Sequence, residues 1–236
     1  MTSIKFGTSG YRGIIGQTFT TKYLIAICNA ISDYFKSQNI SKPRVLIGYD
    51  TRTGNSPNLD PGSYTFTVVA ELSSRKIQVD FCDSFTATPI ISWAVKHYKY
   101  DLGINLTASH NPPNYNGIKL NDPDGAPAPI QLTSFIQEKA SEVLKSEHQA
   151  KVSKLLKNHI KYVNYSTNFI DHTNHVLKDI FKLSLCDFSN NYVIDSKCGA
   201  GIDIWKTLTS SSLGKIIWLN DQYSSDFNFK LPDPTS

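Results

Sequence analysis

The sequence predicts an α/β protein, with a three-layer α/β/α domain on a mixed sheet followed by a truncated second α/β domain. Short apolar runs of strand length alternate with longer segments whose apolar residues recur at helical spacing. This alternation has the spacing of β–α–β units, which places a largely parallel or mixed sheet between two layers of helices. A polar, charged stretch over 146–161 interrupts the pattern. We therefore expect a first domain over residues 1–150 and a partial second domain over residues 160–236.

The first domain is predicted to contain four helices and four strands. Leu24, Ile27 and Ile31 recur at helical spacing, which predicts the first helix. Pro89 suits the first turn of a later helix, because its missing N–H has no partner there. In chain order we expect a helix over 20–38, a strand over 44–49, a helix over 63–74, a strand over 77–82, a helix over 89–98, strands over 101–106 and 117–121, and a helix over 132–145.

The second domain repeats the alternation over a shorter length. We expect a helix over 168–182, a strand over 192–195, a glycine turn at 199–201, a helix ending near 209 and a strand over 215–219. Two strands make a thin sheet for an independent core. This part of the chain is therefore expected to leave apolar surface and an unpaired sheet edge exposed.

Composition narrows the class of protein and its partners. The chain has 236 residues, of which 40% are hydrophobic and 19% charged, as is typical of globular domains. Its net charge of +4 comes without a long Lys/Arg run, so it fits small phosphorylated ligands, and we expect no nucleic-acid partner. No apolar stretch is long enough to span a membrane, and the N-terminus has no signal-peptide pattern, so we expect a cytoplasmic protein. The four scattered cysteines are expected to be buried free thiols.

A glycine-rich segment, Gly7–Gly13, is the first candidate for a ligand site. Its three glycines allow a backbone to approach a ligand closely. Hydroxyls and backbone N–H groups could bond phosphate oxygens, and an arginine could do so through two parallel hydrogen bonds. The candidate ligand-binding residues are Thr8, Ser9, Gly10, Tyr11 and Arg12. A flexible N-terminal turn is the alternative interpretation of the same residues.

The second candidate is the segment from Thr107 to Lys119, which follows a predicted buried strand. Ser109 would lie at the carboxyl end of that strand, where open α/β sheets bind ligands. Two prolines restrict the segment, and Gly117 is expected to permit an unusual backbone angle. Ser109, His110 and Lys119 supply the hydroxyl, imidazole and cation of a phosphoryl carrier. A capped turn with an exposed histidine is the alternative.

The two segments together resemble signatures of the α-D-phosphohexomutase family, the phosphoglucomutases and phosphomannomutases. The first reads GTSGYRG and the second reads TASHNPPNYNGIKL, in the family's order. Three further segments are also similar to the family. Residues 48–52 resemble its G-x-D-x-R segment, residues 86–89 its T-P turn, and residues 195–201 its second-domain glycine turn. The resemblance therefore runs along nearly the whole chain.

This resemblance implies a mechanism and a set of site residues. Ser109 matches the family's phosphoserine, which passes its phosphoryl group to a hexose phosphate, of glucose or mannose. The resulting bisphosphate reorients and returns its other phosphoryl group, so that C1 and C6 phosphates interconvert. His110 and Lys119 match residues for proton transfer or orientation, and Arg12 matches a loop residue near the same centre. Asn111 is a further candidate for the substrate or phosphate loop. A phosphoserine oxygen would also be one ligand of the family's Mg²⁺.

The chain departs from the family pattern in its length. The family's metal-binding D-G-D-G-D-R loop and its sugar-selecting G-E-x-S-G loop do not occur in the sequence. We therefore expect little or no mutase activity from the isolated chain, because charge stabilisation by the metal and substrate positioning would both be reduced. Two alternatives stay open, namely a non-catalytic sugar-phosphate-binding or regulatory remnant, and one half of a split mutase completed by a C-terminal chain. The choice between glucose and mannose, the oligomeric state and the phosphorylation of Ser109 stay open as well.

Overall fold

The computed structural model describes residues 4–7, 10–145, 151–181, 190–210 and 214–233. Helices and strands alternate through these ranges, as the periodicity predicted. They are β1 (Tyr11–Ile14), α1 (Thr21–Ser37), β2 (Arg44–Tyr49), α2 (Tyr64–Ser74), β3 (Gln78–Cys82), α3 (Thr88–His97), β4 (Leu102–Leu106), β5 (Tyr115–Asn121), α4 (Ile130–Lys145), β6 (Ile160–Val163), α5 (Ser166–Val176), β7 (Tyr192–Asp195), α6 (Ile202–Leu208) and β8 (Ile216–Leu219).

The main sheet has six strands in the order β1-β5-β4-β2-β3-β6. Strands β4, β2, β3 and β6 are parallel, whereas β5 runs antiparallel to both β4 and β1. Helices α1, α2 and α4 lie together, because α1 contacts both α2 and α4, while α3 packs on β2 and β4 and also contacts α5. The predicted three-layer α/β/α fold on a mixed sheet is therefore confirmed.

The centre of the sheet explains why the sequence pattern was so clear. All five residues of β4 and the last five of β2 are buried. Central strands that are covered by helices on both faces read as continuous apolar runs. Because these two strands are neighbours, the chain segments that follow them emerge side by side at one edge of the sheet.

Two strands of the main sheet were not predicted. β1 lies in the glycine-rich segment, where the predicted feature was a loop. β6 begins in the polar stretch over 146–161 that interrupts the predicted pattern, and it pairs in parallel with β3. Only Val163 of β6 is buried, since the strand lies at the sheet edge and its apolar pattern is weak. The division into two domains stays a prediction, but residues 160–163 belong to the first sheet.

The C-terminal unit, defined here as residues 190–233, is a two-stranded parallel sheet of β7 and β8 with α6 between them in the chain. One face of this sheet is exposed through Val193, Ile217 and Leu219. Trp205 on α6 is 41% exposed. The helix predicted over 168–182 is observed as α5 and a π-helical turn at Leu177–Phe181.

The three described cysteines agree with the expectation from the sequence. Cys28, Cys82 and Cys198 are buried free thiols, whereas Cys186 lies outside the described residues. Across the described ranges, each helix is too short or too polar to cross a membrane.

Candidate functional site

The loop that carries Ser109 joins β4 to β5 and is called here the Ser109 loop (residues 107–114). It leaves the sheet at the carboxyl edge of the parallel strands. Ser109 is exposed and has a left-handed backbone with φ of 60°. For a residue other than glycine this conformation costs roughly 1–3 kcal/mol, so the surroundings must enforce it.

The N–H side of Ser109 is held through Thr107 and Asp50. The Ser109 N–H donates to Oγ1 of Thr107 over 2.9 Å, and that hydroxyl donates to Oδ2 of Asp50 over 2.5 Å. Asp50 follows β2, which lies next to β4 in the sheet. Neighbouring strand ends thus supply both members of this chain of hydrogen bonds.

The carbonyl side of the Ser109 loop is held by Arg52, whose side chain is fully buried. Its Nη2 donates to the carbonyl oxygens of Ser109 and Asn111, each over 2.7 Å. Its Nη1 donates to those of Pro112 and Tyr115, over 2.8 and 2.9 Å. One guanidinium therefore fixes three carbonyls of the loop and the first carbonyl of β5.

Asp50 and Arg52 form a largely buried ion pair. Nε of Arg52 lies 3.2 Å from Oδ2 of Asp50, and the Arg52 backbone N–H donates to Oδ1 over 3.0 Å. Burial raises the pKa of the Asp50 carboxyl, and the charge of Arg52 opposes that shift. Burial lowers the pKa of Arg52, and Asp50 opposes it. The guanidinium stays charged because arginine does not lose its proton in proteins.

Arg12 and Lys119 lie on one face of the sheet beside the Ser109 loop. Arg12 on β1 is paired with Gly117, and Lys119 on β5 is paired with Asn105. Residues 117 and 119 of one strand point to the same face, so these cations share it. Arg12 also donates from Nη1 to Oδ1 of Asn111 over 2.7 Å, which ties it to the loop.

Lys119 is half-buried, and this changes its acid strength. Burial lowers the pKa of its ammonium, and the charge of Arg12 lowers it further, while Asp50 opposes both effects. Lys119 lines a cavity of about 110 Å³ together with Gly7, Gly10 and Thr88. A lysine with a lowered pKa is better suited to accept a proton near neutral pH than an exposed one.

Two glycines allow these strands to pack so closely. The expectation of an unusual backbone angle at Gly117 is wrong, because Gly117 is not one of the glycines with a positive φ. A side chain is excluded there by space, since a Cβ would lie 2.6 Å from the carbonyl oxygen of Thr107 and 2.8 Å from that of Tyr11. The positive φ, of 102°, belongs to Gly10, where a Cβ would clash with the carbonyl oxygen of Ile118.

The other predicted site residues have mixed outcomes. His110 is exposed beside Ser109, and Asn111 is half-buried against Arg12. The side chain of Tyr11 is 5% exposed, and its hydroxyl donates to the carbonyl oxygen of Thr18. Side chains alternate between the two faces along β1, so Tyr11 points into the core on the face opposite to Arg12. Thr8 and Ser9 lie outside the described residues.

A cavity of about 210 Å³ lies between the Ser109 loop and the C-terminal unit. The first domain contributes Ser109, Asp50 and Asn105, and the glycine turn contributes Lys197 and Gly199. Asn105 is 1% exposed, and its Oδ1 has no hydrogen-bond partner among the described residues. The cavity therefore offers an acceptor and a cation to a polar ligand near Ser109.

The Mg²⁺ implied by the resemblance finds no complete site in the described part of the chain. There, no three His, Cys, Asp or Glu side chains converge on a point where a metal could bind. The carboxylate of Asp50 is already engaged by Arg52, Thr107 and Asn55. The described residues do not fit this metal, and we derive no step through it.

Asp50 and Arg52 were missed as site residues, although their segment had been recognised. The available signal was an acidic and a basic residue directly after a buried strand. Assigning them to the Ser109 loop required knowing that β2 neighbours β4, which periodicity alone does not show.

Comparison with known proteins decides the family. The family model described as "Phosphoglucomutase/phosphomannomutase, alpha/beta/alpha domain I" matches residues 3–147. The chain belongs to the phosphoglucomutase/phosphomannomutase family. The resemblance inferred from the two motifs is therefore confirmed.

Similar proteins extend the match beyond the first domain. A phosphoglucomutase from Komagataeibacter xylinus is 31% identical over 87% of this chain and 38% of its own length. A protein assigned as phosphoglucosamine mutase from Methanocella arvoryzae is 29% identical over 97% of this chain and 46% of its own. The chain thus spans less than half the length of these relatives.

Solved structures show the same fold. A protein assigned as a phosphomannomutase from Thermus thermophilus is 25% identical with a TM-score of 0.81, covering 99% of this chain and 50% of that one. The phosphoglucomutase pp63/parafusin from Paramecium, in its open form, is 22% identical with a TM-score of 0.68, covering 98% and 45%. The second likeness supports the fold alone.

Proposed function

We propose that this chain carries the phosphoserine of a phosphohexomutase, with Ser109 transferring phosphoryl groups to and from C1 and C6 of a hexose phosphate. The observation that carries the proposal is an exposed serine hydroxyl on a backbone fixed from both sides, in a loop bonded to Arg12, with Lys119 on the same face of the sheet as Arg12. Phosphoryl transfer depends mainly on positioning and on neutralising charge. Family membership supports the same reading.

The transfer from phosphoserine assigns a role to each group. A sugar hydroxyl attacks the phosphorus, its new O–P bond forms, and the bond from phosphorus to Oγ of Ser109 breaks. Lys119, in its neutral form, accepts the proton of the attacking hydroxyl. A proton returns to the serine oxygen from the resulting ammonium or from His110. Arg12 faces the oxygens of the moving phosphoryl group, where a guanidinium forms strong, charge-assisted hydrogen bonds.

The lowered pKa of Lys119 supports its role as the base, because it enlarges the neutral fraction near pH 7. The cavity of about 210 Å³ gives the hexose a place next to Ser109, and Thr88 lines both this cavity and the neighbouring one that Lys119 lines. Lys197 lies on the far side of that cavity and would face a second phosphate of the bisphosphate intermediate.

A direct experiment starts from protein phosphorylated at Ser109. It is mixed with glucose 1-phosphate or mannose 1-phosphate, and both the loss of protein-bound phosphate and the formation of the sugar bisphosphate are measured. The proposal expects one bisphosphate per phosphoserine lost. Release of inorganic phosphate alone, at the same rate with and without sugar, would contradict it.

A sugar-phosphate-binding module without catalysis is the second candidate. It is favoured by the cavity beside Ser109, which offers the Oδ1 of Asn105, unpaired among the described residues, and the cation of Lys197 to a polar ligand. This candidate predicts that a hexose phosphate binds while Ser109 stays unmodified. A complementing chain that supplies the remaining segments of the family stays a third proposal, motivated by the chain's short coverage of its relatives.

A further inference from the structure

Arg52 lies beneath the proposed phosphoserine, and its guanidinium is sealed from solvent. We infer that Arg52 is a positioning residue for Ser109, and that Phe227 of the C-terminal unit completes its enclosure, so that the Ser109 loop depends on contact with that unit. The inference rests on the proposed function, since the position of Ser109 matters for catalysis only if it carries a phosphoryl group.

The geometry uses both terminal nitrogens of the guanidinium, while the buried Nε makes an ion-pair contact but has no hydrogen-bond partner among the described residues. An arginine has five N–H donors in a rigid plane. Four of them point to the carbonyls of residues 109, 111, 112 and 115, and Nε faces Asp50. A lysine at this position would keep the charge but could not reach four acceptors from one nitrogen.

The carbonyl contacts of Arg52 are concentrated on one loop. Every carbonyl that Arg52 bonds belongs to the Ser109 loop or to the first residue of β5. Its ion-pair partner, Asp50, holds the N–H side of Ser109 through Thr107. The pair therefore controls both peptide groups that flank Ser109, and these set its left-handed φ.

Phe227 covers the guanidinium from the C-terminal unit. Its ring centroid lies 4.9 Å from the guanidinium carbon of Arg52, and the residue is 5% exposed. An aromatic face at this distance attracts a cation and also excludes water from its hydrogen bonds. Phe227, Asn228 and Phe229 all have a positive φ, of 53–60°. Such a strained turn persists only where its surroundings over-determine it.

The residues on either side of Arg52 also join the two parts of the chain. Thr51 donates from Oγ1 to the carbonyl oxygen of Cys198 over 3.2 Å. The N–H of Thr53 donates to the carbonyl oxygen of Ser225 over 3.3 Å. The segment 51–53 thus contacts the Ser109 loop on one side and the C-terminal unit on the other, and displacement of that unit would uncover Arg52.

Backbone hydrogen exchange of a peptide covering residues 107–117 tests the positioning directly. The variant is Arg52→Lys, and the matched control is Arg75→Lys. Arg75 is also an arginine paired with a buried carboxylate, that of Glu71 at 2.7 Å, but it lies beside α2 and far from the loop in the fold. We expect exchange in this peptide to be about tenfold faster or more in Arg52→Lys, as local opening becomes easier, and unchanged in Arg75→Lys.

Phosphorylation by glucose 1,6-bisphosphate provides the functional arm of the same experiment. Misplacement of Ser109 lowers the maximal rate of phosphorylation, while the half-saturating concentration of the bisphosphate stays within about twofold. A general loss of folded protein would instead lower the fraction of protein that reacts. The variant Phe227→Leu keeps an apolar cover without the ring and is expected to raise exchange in the same peptide by a smaller factor.

The outcomes separate the two claims. Equal exchange of the 107–117 peptide in the parent protein and in folded Arg52→Lys overturns the positioning role. If Arg52→Lys does not fold, unchanged exchange in Phe227→Leu overturns the dependence on the C-terminal unit. Faster exchange in the variants, together with a parent protein that the bisphosphate never phosphorylates, refutes the proposed function instead.

Discussion

At the scale of single residues, the site consists of one exposed hydroxyl and several charges held out of water. Ser109 is exposed, yet the groups that fix its backbone are buried. A buried charge is tolerated only when it is paired and hydrogen-bonded, so each partner matters strongly to the other. Mutations at Asp50, Arg52 and Lys119 should therefore have large and distinguishable effects.

Replacing Asp50 by asparagine keeps the size of the side chain and removes its charge. The guanidinium of Arg52 then has no carboxylate partner, and loss of one member of a buried pair costs about 3–5 kcal/mol. Urea unfolding should show a decrease of this order. Asp33→Asn is the control, because its ion pair with Lys36 is exposed and should contribute less than about 1 kcal/mol. Equal, small effects of both substitutions would contradict the account.

Replacing Lys119 by methionine should separate stability from chemistry. The fold lowers the pKa of Lys119, so the protonated side chain opposes folding at neutral pH. We expect a higher unfolding midpoint at pH 7 and no transfer from phosphoserine to sugar. A variant that is less stable and equally active would show that Lys119 is a structural cation.

The same shift sets the pH dependence of the transfer. Because the neutral amine is the base, the rate should rise with pH and level off once Lys119 has lost its proton. The half-maximal pH should lie below the value of about 10.4 for an ordinary lysine. Single-turnover transfer to glucose 1-phosphate measures this profile, and Lys119→Arg should abolish the rise. A rate independent of pH in the parent protein would exclude this role.

At the scale of elements, the periodicity of apolar residues predicted the buried strands at the centre of the main sheet and the helices of the first domain, α1 to α4. It missed β1 and β6, since one is rich in glycine and the other exposes half of its residues at a sheet edge. In both strands the hydrogen bonds to a neighbouring strand decide the structure, and apolar alternation contributes little. Such strands are set by tertiary contacts that single-sequence patterns do not carry.

The close contact between β5 and its neighbours gives a prediction at this scale. In Gly117→Ala the new Cβ meets two backbone carbonyl oxygens at 2.6 and 2.8 Å. Overpacking of this kind costs about 1–3 kcal/mol, and it should also displace Arg12 from Asn111. Gly199→Ala is the control, because its nearest atom lies at 3.4 Å. Thermal unfolding that is equal for both variants would argue against this packing.

At the scale of the whole molecule, the candidate site combines residues of the first domain with residues of the C-terminal unit. The motifs predicted Ser109, His110, Arg12 and Lys119, because each lies in a segment with a distinct sequence signature. The contribution of the C-terminal unit was not predicted, since Phe227 and Lys197 reach the site only through folding. The two relatives described above are more than twice as long as the region that matches this chain. Their segments outside that region bear on the rate of mutase turnover.

Steady-state mutase activity should therefore be weak in the chain alone. The described residues place Ser109 and its cations but hold no metal-binding group, and loss of metal charge stabilisation is commonly worth several kcal/mol. A coupled assay with glucose 1-phosphate, Mg²⁺ and a bisphosphate activator measures the rate. Adding the separately purified C-terminal half of the Komagataeibacter xylinus relative should increase it. Turnover of the chain alone at ordinary mutase rates would contradict this expectation.

The most direct test of the account is to find where a phosphoryl group goes. The purified chain is incubated with glucose 1,6-bisphosphate, and its peptides are mapped by mass spectrometry beside those of Ser109→Ala. The account predicts a phosphoryl group on Ser109 in the parent protein and none in the variant. A parent protein left unmodified, or one labelled equally in Ser109→Ala, would contradict it.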